Sequence, residues 1–180
     1  PTRRSSDLVA ALFGVSLLLT PSFVSAHGTD RSYLYESIAQ DYTVNPDSTV
    51  DVIESQTYTF IGEYHVGWRS IALKGVGSID GISVSDGTTG MPLTYSSDRL
   101  DKLDSKSWGK YTYFRENGHM NIEWYYNLDD TTHTFVLSYR LHGALGFYRD
   151  HDELYWNLAT EYSVPIKRIA ATVHVPEGVG

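Results

Sequence analysis

From residue 27 onward, hydrophobic side chains recur at every second position, the spacing of strands that bury one face. A first strand is expected to carry Leu34, Ile38, Tyr42 and Val44 on one face, and Asn45-Pro46-Asp47-Ser48 forms a turn cluster after it. Segment 49–61 repeats the pattern with Val50, Val52, Tyr58 and Phe60, and Gly62 ends it. Segment 75–86 reads as a glycine-punctuated strand around Ile79, Ile82 and Val84. Residues 93–95 form a short extended piece, and 96–110 is polar enough to be a loop. Segment 110–128 is the clearest hairpin. Asn117-Gly118 supplies the two positive-φ residues of a type I′ turn. Counting outward pairs Glu116 with His119, Arg115 with Met120, Tyr113 with Ile122 and Tyr111 with Trp124, so apolar residues meet apolar residues. Segment 132–142 places Phe135, Leu137, Tyr139 and Leu141 on one face, and 166–175 does so with Ile169, Ala171, Val173 and Val175. No segment past residue 26 keeps a helical period. The pattern predicts an all-β domain, an antiparallel two-sheet β-sandwich, Ig-like in general shape.

Composition agrees with strand: 14 Tyr, 6 Phe and 4 Trp in 180 residues. The absence of Cys excludes a disulfide framework, a thiolate metal site and a cysteine nucleophile. A net charge of -8 with no basic run past residue 4 argues against nucleic acid and against anionic lipid headgroups as partners.

Upstream of the alternating region stands a different signal. Residues 9–19 read VAALFGVSLLL, followed by Pro21 and by Val24-Ser25-Ala26. This is the layout of a signal-peptide helix with a cleavage site after Ala26, and the run is too short to span a membrane as it stands. Residues 1–8, PTRRSSDL, also match the in-frame translation of a common sequencing adapter, so Arg3 and Arg4 carry no weight as a basic n-region. The expected division is an adapter-derived 1–8, a signal segment 9–26, and an extracytoplasmic β domain 27–180 that is cut at its C-terminal end.

Three blocks carry a family likeness. The first is Val52-Ile53-Glu54-Ser55-Gln56-Thr57-Tyr58-Thr59-Phe60 with Gly62-Glu63-Tyr64-His65 and Gly67-Trp68-Arg69-Ser70-Ile71. The second is His133-Thr134-Phe135-Val136-Leu137-Ser138-Tyr139-Arg140. The third is Asp152-Glu153-Leu154-Tyr155-Trp156-Asn157, then Val164-Pro165-Ile166 and Ala171-Thr172-Val173-His174-Val175-Pro176. Over about residues 33–177 the chain resembles the bacterial predicted membrane proteins grouped as domain of unknown function 2207. The resemblance implies an exported β domain, membrane helices further along, and no known activity. After Trp-Asn the family carries a small residue, Gly and then Trp; here Leu158-Ala159-Thr160-Glu161-Tyr162 stands instead.

Few residues suggest chemistry. Glu54 falls in register with the apolar face of its strand, and a buried carboxylate needs a cation or several donors. Arg69 closes the same block, so Glu54 and Arg69 are expected to form a structural ion pair; the competing reading is an acid with a raised pKa. Asp152 and Glu153 stand in a charged cluster with Arg149, Asp150 and His151, before Tyr155, Trp156 and Asn157. Arg69, Asp152, Glu153, Tyr155, Trp156 and Asn157 are the candidate binding residues. The acids lack the glycine-containing ligand loop of a calcium site. The histidines show no metal-ligand spacing, and no nucleophile elbow or phosphate loop is present. No catalytic residue, metal or cofactor is assigned. Glu123, Asp152 and Glu153 are the carboxylates from which a glycosidase pair could be drawn. Trp124, Tyr126 and Tyr139 read as core; Tyr64, Trp68 and Tyr125 read as outward or loop rings able to meet a sugar or a protein. The expectation is a non-enzymatic, membrane-tethered envelope domain that binds or senses a glycan or an envelope protein. The rivals are a hydrolase acting on glycan or peptide, and a module accepting a partner strand at a sheet edge.

Overall fold

The computed structural model describes residues 31–154, 156 and 162–176. The expected signal segment and the first eight residues lie outside them. In chain order the strands are β1 (Ser32–Val44), β2 (Val50–Ile61), β3 (Tyr64–Ala72), β4 (Ser78–Asp86), β5 (Thr94–Tyr95), β6 (Lys110–Glu116), β7 (His119–Leu128), β8 (Thr132–His142), β9 (Leu145–Phe147), β10 (Asp152–Leu154) and β11 (Ile169–His174). One 3-10 turn, Ser105–Ser107, interrupts the polar loop before β6. Among the described residues no helix is long and apolar enough to cross a membrane.

The strands form a five-stranded sheet in the order β11-β1-β2-β8-β4 and a four-stranded sheet in the order β3-β7-β6-β5, with β9 and β10 paired apart. Both large sheets are mixed, which corrects the all-antiparallel expectation. β11 runs parallel to β1, and β5 parallel to β6. Alternation reports which face is buried and carries no information on the direction of the neighbour.

The β6–β7 hairpin has the register counted from its turn: Glu116 opposite His119, Tyr113 opposite Ile122, Tyr111 opposite Trp124. Asn117 and Gly118 take φ of 50° and 76°. β1 departs from its expected face. A register shift between Tyr35 and Ser37 puts Tyr33 and Tyr35 on the side of Ile38 and Tyr42, displacing Leu34. A second shift, between Asp80 and Ser83 of β4, brings Ile79 onto the face of Ile82 and Val84.

The inner faces of the two sheets share one core. Trp124 and Tyr126 of β7 meet Phe135 of β8 at ring distances of 5.8 and 4.8 Å, and Tyr126 meets Phe60 of β2 at 5.8 Å. Ile38, Ile122, Leu137 and Leu141 are fully buried between them, each contributing about 1.5–3 kcal/mol of apolar burial. β11, by contrast, is exposed along its whole length, with Ile169 at 45% and Val173 at 51%. Its alternation does not mark a core face, because it sits at the sheet edge beyond β1.

Candidate functional site: an aromatic cleft beside a buried ion pair

The period of two in β2 turns Glu54 and Gln56 inward between Val52 and Tyr58. β3, which hydrophobic alternation does not mark as a strand, turns Gly67, Arg69 and Ile71 inward from the other sheet. Gly67 stands where it does because Trp124 of β7 lies against its backbone: a Cβ there would sit 2.1 Å from Trp124 Cε2. That close approach leaves room for Arg69 to extend between the sheets.

Glu54 is 0% exposed and Arg69 4%. Arg69 Nε lies 3.1 Å from Glu54 Oε1 and 3.2 Å from Oε2. Gln40 Nε2 donates to Oε2 at 2.8 Å, the Tyr162 hydroxyl donates to Oε1 at 2.7 Å, and Gln56 Nε2 donates to Oε1 as well. Tyr58 in turn donates to Gln56 Oε1. Arg69 Nη1 donates to the Ser70 carbonyl at 2.8 Å, and the guanidinium carbon stands 5.1 Å from the Tyr162 ring centre. Burial alone would push the Glu54 carboxyl up. The Arg69 charge and the Tyr162, Gln40 and Gln56 donors together outweigh it and hold the group below its ordinary value. Burial likewise opposes the charge on Arg69, and the facing carboxylate reverses that and raises its pKa. Glu54 is therefore a saturated, ionised group rather than an acid with a raised pKa.

Beside this pair, residues of β1, β2, β3 and β7 line a cleft of ≈ 250 Å³. Arg31 stands at its exposed end with its guanidinium 4.6 Å over the Tyr64 ring. Tyr33, Tyr64 and Tyr126 line it, and Tyr162 and Arg69 lie at its buried side. Tyr33 and Tyr64 meet edge to face at 5.4 Å. Burial raises the Tyr126 and Tyr162 hydroxyls far above their ordinary values and Tyr35 to about 12, so all three remain protonated donors. Among the described lining residues there is no Asp, Glu, Asn, Gln or Lys.

Of the residues singled out from sequence, Arg69 lines this cleft and contacts Glu54. Asp152 and Glu153 do not join it: they lie exposed on β10, beside an apolar groove of ≈ 390 Å³ that includes Val44, Phe147 and Val173. Trp156 packs against the core, while Tyr155 and Asn157 lie outside the described residues. Glu123 is on β7 but does not line the cleft, and it accepts from the Tyr125 hydroxyl at 2.6 Å. Tyr125 is buried, correcting its reading as an outward ring, whereas Tyr64 is half-buried against the core and lines the cleft, and Trp68 is 50% exposed. Several of the described histidines pair with single carboxylates, such as His133 with Asp86 at 3.0 Å and His142 with Asp80 at 2.9 Å. Among the described residues no group of three or more His, Cys, Asp or Glu is placed to hold a metal ion. Sequence reasoning missed Arg31, Tyr33 and Tyr162. The departure of segment 158–162 from its family pattern was the available signal for Tyr162.

A family model described as "Predicted membrane protein (DUF2207) N-terminal domain" matches residues 35–180. The chain belongs to this family. The Glu54 and Arg69 blocks of this DUF2207 domain thus fall within the matched region. No curated protein matches the chain. Among solved structures, a crystal structure from Parabacteroides distasonis ATCC 8503, described as a putative protease, is similar at 15% identity and a TM-score of 0.43. The match covers 82% of this chain and 30% of that one, so the DUF2207 domain spans under a third of that protein. At this level the likeness carries nothing about activity.

Proposed function

We propose that this DUF2207 domain is a non-enzymatic binding module, an Ig-like β-sandwich on the extracytoplasmic side of an envelope membrane protein, tethered through segments beyond the described residues. The observation that carries the reading is the cleft between β1–β2 and β3: aromatic, lined by hydroxyl and guanidinium donors, and braced by an ion pair whose members are fully engaged. Catalysis of hydrolysis calls for a titratable group that can give or take a proton. Glu54, the carboxylate nearest the cleft in this network, accepts four donors and is held ionised. Such a group braces a site and exchanges no proton with a ligand. Preformed pockets with a few convergent polar groups are the usual form of a ligand site.

The test is to incubate the purified protein with solubilised peptidoglycan fragments and, separately, with a random-sequence peptide mixture. Saturable binding without new products by mass spectrometry is expected. Turnover of either substrate that is lost in Glu54→Gln would replace this reading with the hydrolase.

A further inference from the structure

We infer that the cleft recognises a carboxylate-bearing saccharide unit, an assignment that rests on the binding-module reading and deepens it. Three features point to this ligand chemistry. Tyr33, Tyr64 and Tyr126 line the cleft, and their hydroxyls make no hydrogen bond to any described residue. Their rings are held in place by one another and by Phe60, with Tyr33–Tyr64 at 5.4 Å, Phe60–Tyr64 at 5.2 Å and Phe60–Tyr126 at 5.8 Å. Fixed phenols with unused hydroxyls are ready donors to an acceptor-rich ligand, and they cost little ordering when it arrives.

The second feature is charge. The whole chain carries -8, yet the described lining has two arginines and no acid. Arg69 is neutralised by Glu54. Arg31 makes no ion pair with a described residue and rests on the Tyr64 ring at 4.6 Å. A guanidinium with no acid beside it among the described residues, set among neutral donors, suits a single negative charge of planar geometry. A carboxylate has that geometry and can take the guanidinium in a bidentate pair. A phosphate dianion would leave a charge uncompensated in a half-buried site.

The third is size and shape. A volume of ≈ 250 Å³ falls just under the about 300–1,000 Å³ that holds a drug-sized molecule, room for one or two rings. Aromatic faces beside hydroxyl donors match a pyranose, which has an apolar face and a rim of oxygens. The aromatic rings bind the face, the phenols read the rim, and Arg31 takes the carboxylate.

The experiment is an NMR titration of the purified protein with tri-galacturonate, its neutral methyl ester and a hexa-glutamate peptide, following tyrosine ring signals. Tri-galacturonate is expected to shift the signals of Tyr33, Tyr64 and Tyr126 saturably. The methyl ester should bind about tenfold more weakly, as should tri-galacturonate to Arg31→Ala, the loss expected for one charge-assisted hydrogen bond. Tyr64→Phe, which removes only a hydroxyl, should weaken binding several-fold, and Lys74→Ala, on an exposed loop away from the cleft, should not. Equal binding of the ester overturns the carboxylate part of the assignment, preference for the peptide overturns its saccharide part, and either leaves the binding module standing. Silence of the cleft signals toward all three probes overturns this assignment, and silence toward the peptidoglycan fragments and peptide mixture as well removes the binding-module reading itself.

Discussion

Arg69→Met removes the guanidinium facing Glu54 and keeps a long unbranched side chain between the sheets. Glu54 then remains fully buried with Gln40, Gln56 and Tyr162 as its donors and no cation. Breaking a buried ion pair by removing one partner costs about 3–5 kcal/mol. Because three donors remain, the lower end applies, about 3 kcal/mol at pH 7. For a domain of this size that is a fall in Tm of roughly 6–12 °C. The pH dependence separates this cause from loss of packing. In the wild type the Glu54 pKa is depressed in the folded state, so its contribution is full above the ordinary carboxylate range and is lost as pH falls through the folded value. In Arg69→Met the burial effect dominates and the pKa rises. A raised carboxyl pKa destabilises most at neutral pH, and the penalty shrinks as pH falls toward 4 and the group takes a proton. Urea unfolding at pH 7 and pH 4.5 should therefore show a large gap between variant and wild type that narrows in acid. Glu54→Gln combined with Arg69→Met should recover part of the loss at pH 7. A loss under 1 kcal/mol at pH 7, or an equal loss at both pH values, would refute the assignment of Glu54 as a carboxylate dependent on Arg69.

Three further substitutions probe the local arguments. Tyr162→Phe keeps the ring beside Arg69 and deletes the 2.7 Å donor to Glu54; urea unfolding should show a loss of about 1.5–3 kcal/mol, the range for a bond to a charged group. Gly67→Ala drives a methyl into the Trp124 indole and should cost about 1–3 kcal/mol or more, with altered tryptophan fluorescence from the displaced ring. Arg140→Ala breaks the exposed two-point pair with Asp51, whose contacts are 2.6 and 2.9 Å. It should lower Tm only slightly and lose that effect in high salt, as thermal melts at two ionic strengths would show.

Legibility followed the physics of each element. The β6–β7 hairpin was readable because a two-residue turn fixes its own register and the flanking apolar residues agree with it. β8 was readable because Phe135, Leu137, Tyr139 and Leu141 alternate without interruption. β3 was not, since its inward positions are Gly67, Arg69 and Ile71: a glycine chosen for contact with Trp124 and an arginine chosen for Glu54 break the apolar pattern that marks a strand. In β1 the shift between Tyr35 and Ser37 exchanged faces midway, and alternation counted straight through it selected Leu34.

The amino-acid sequence by itself determined the strand content, the tightest hairpin, the inward position of Glu54 and its need for a cation. Each of these follows from local spacing or from the cost of burying one charge. The Glu54–Arg69 pair was legible too, and the two side chains meet in the structure; only the tertiary structure decided that β1 and β11 run parallel, that Arg69 reaches Glu54 from the other sheet, and that Tyr162, 108 positions away, supplies a donor to the same carboxylate. The cleft likewise exists only once Arg31 and Tyr33, Tyr64, and Tyr126, from three separate parts of the chain, are brought together. Strand direction and long-range side-chain convergence depend on which surfaces pack, and no local period records that choice.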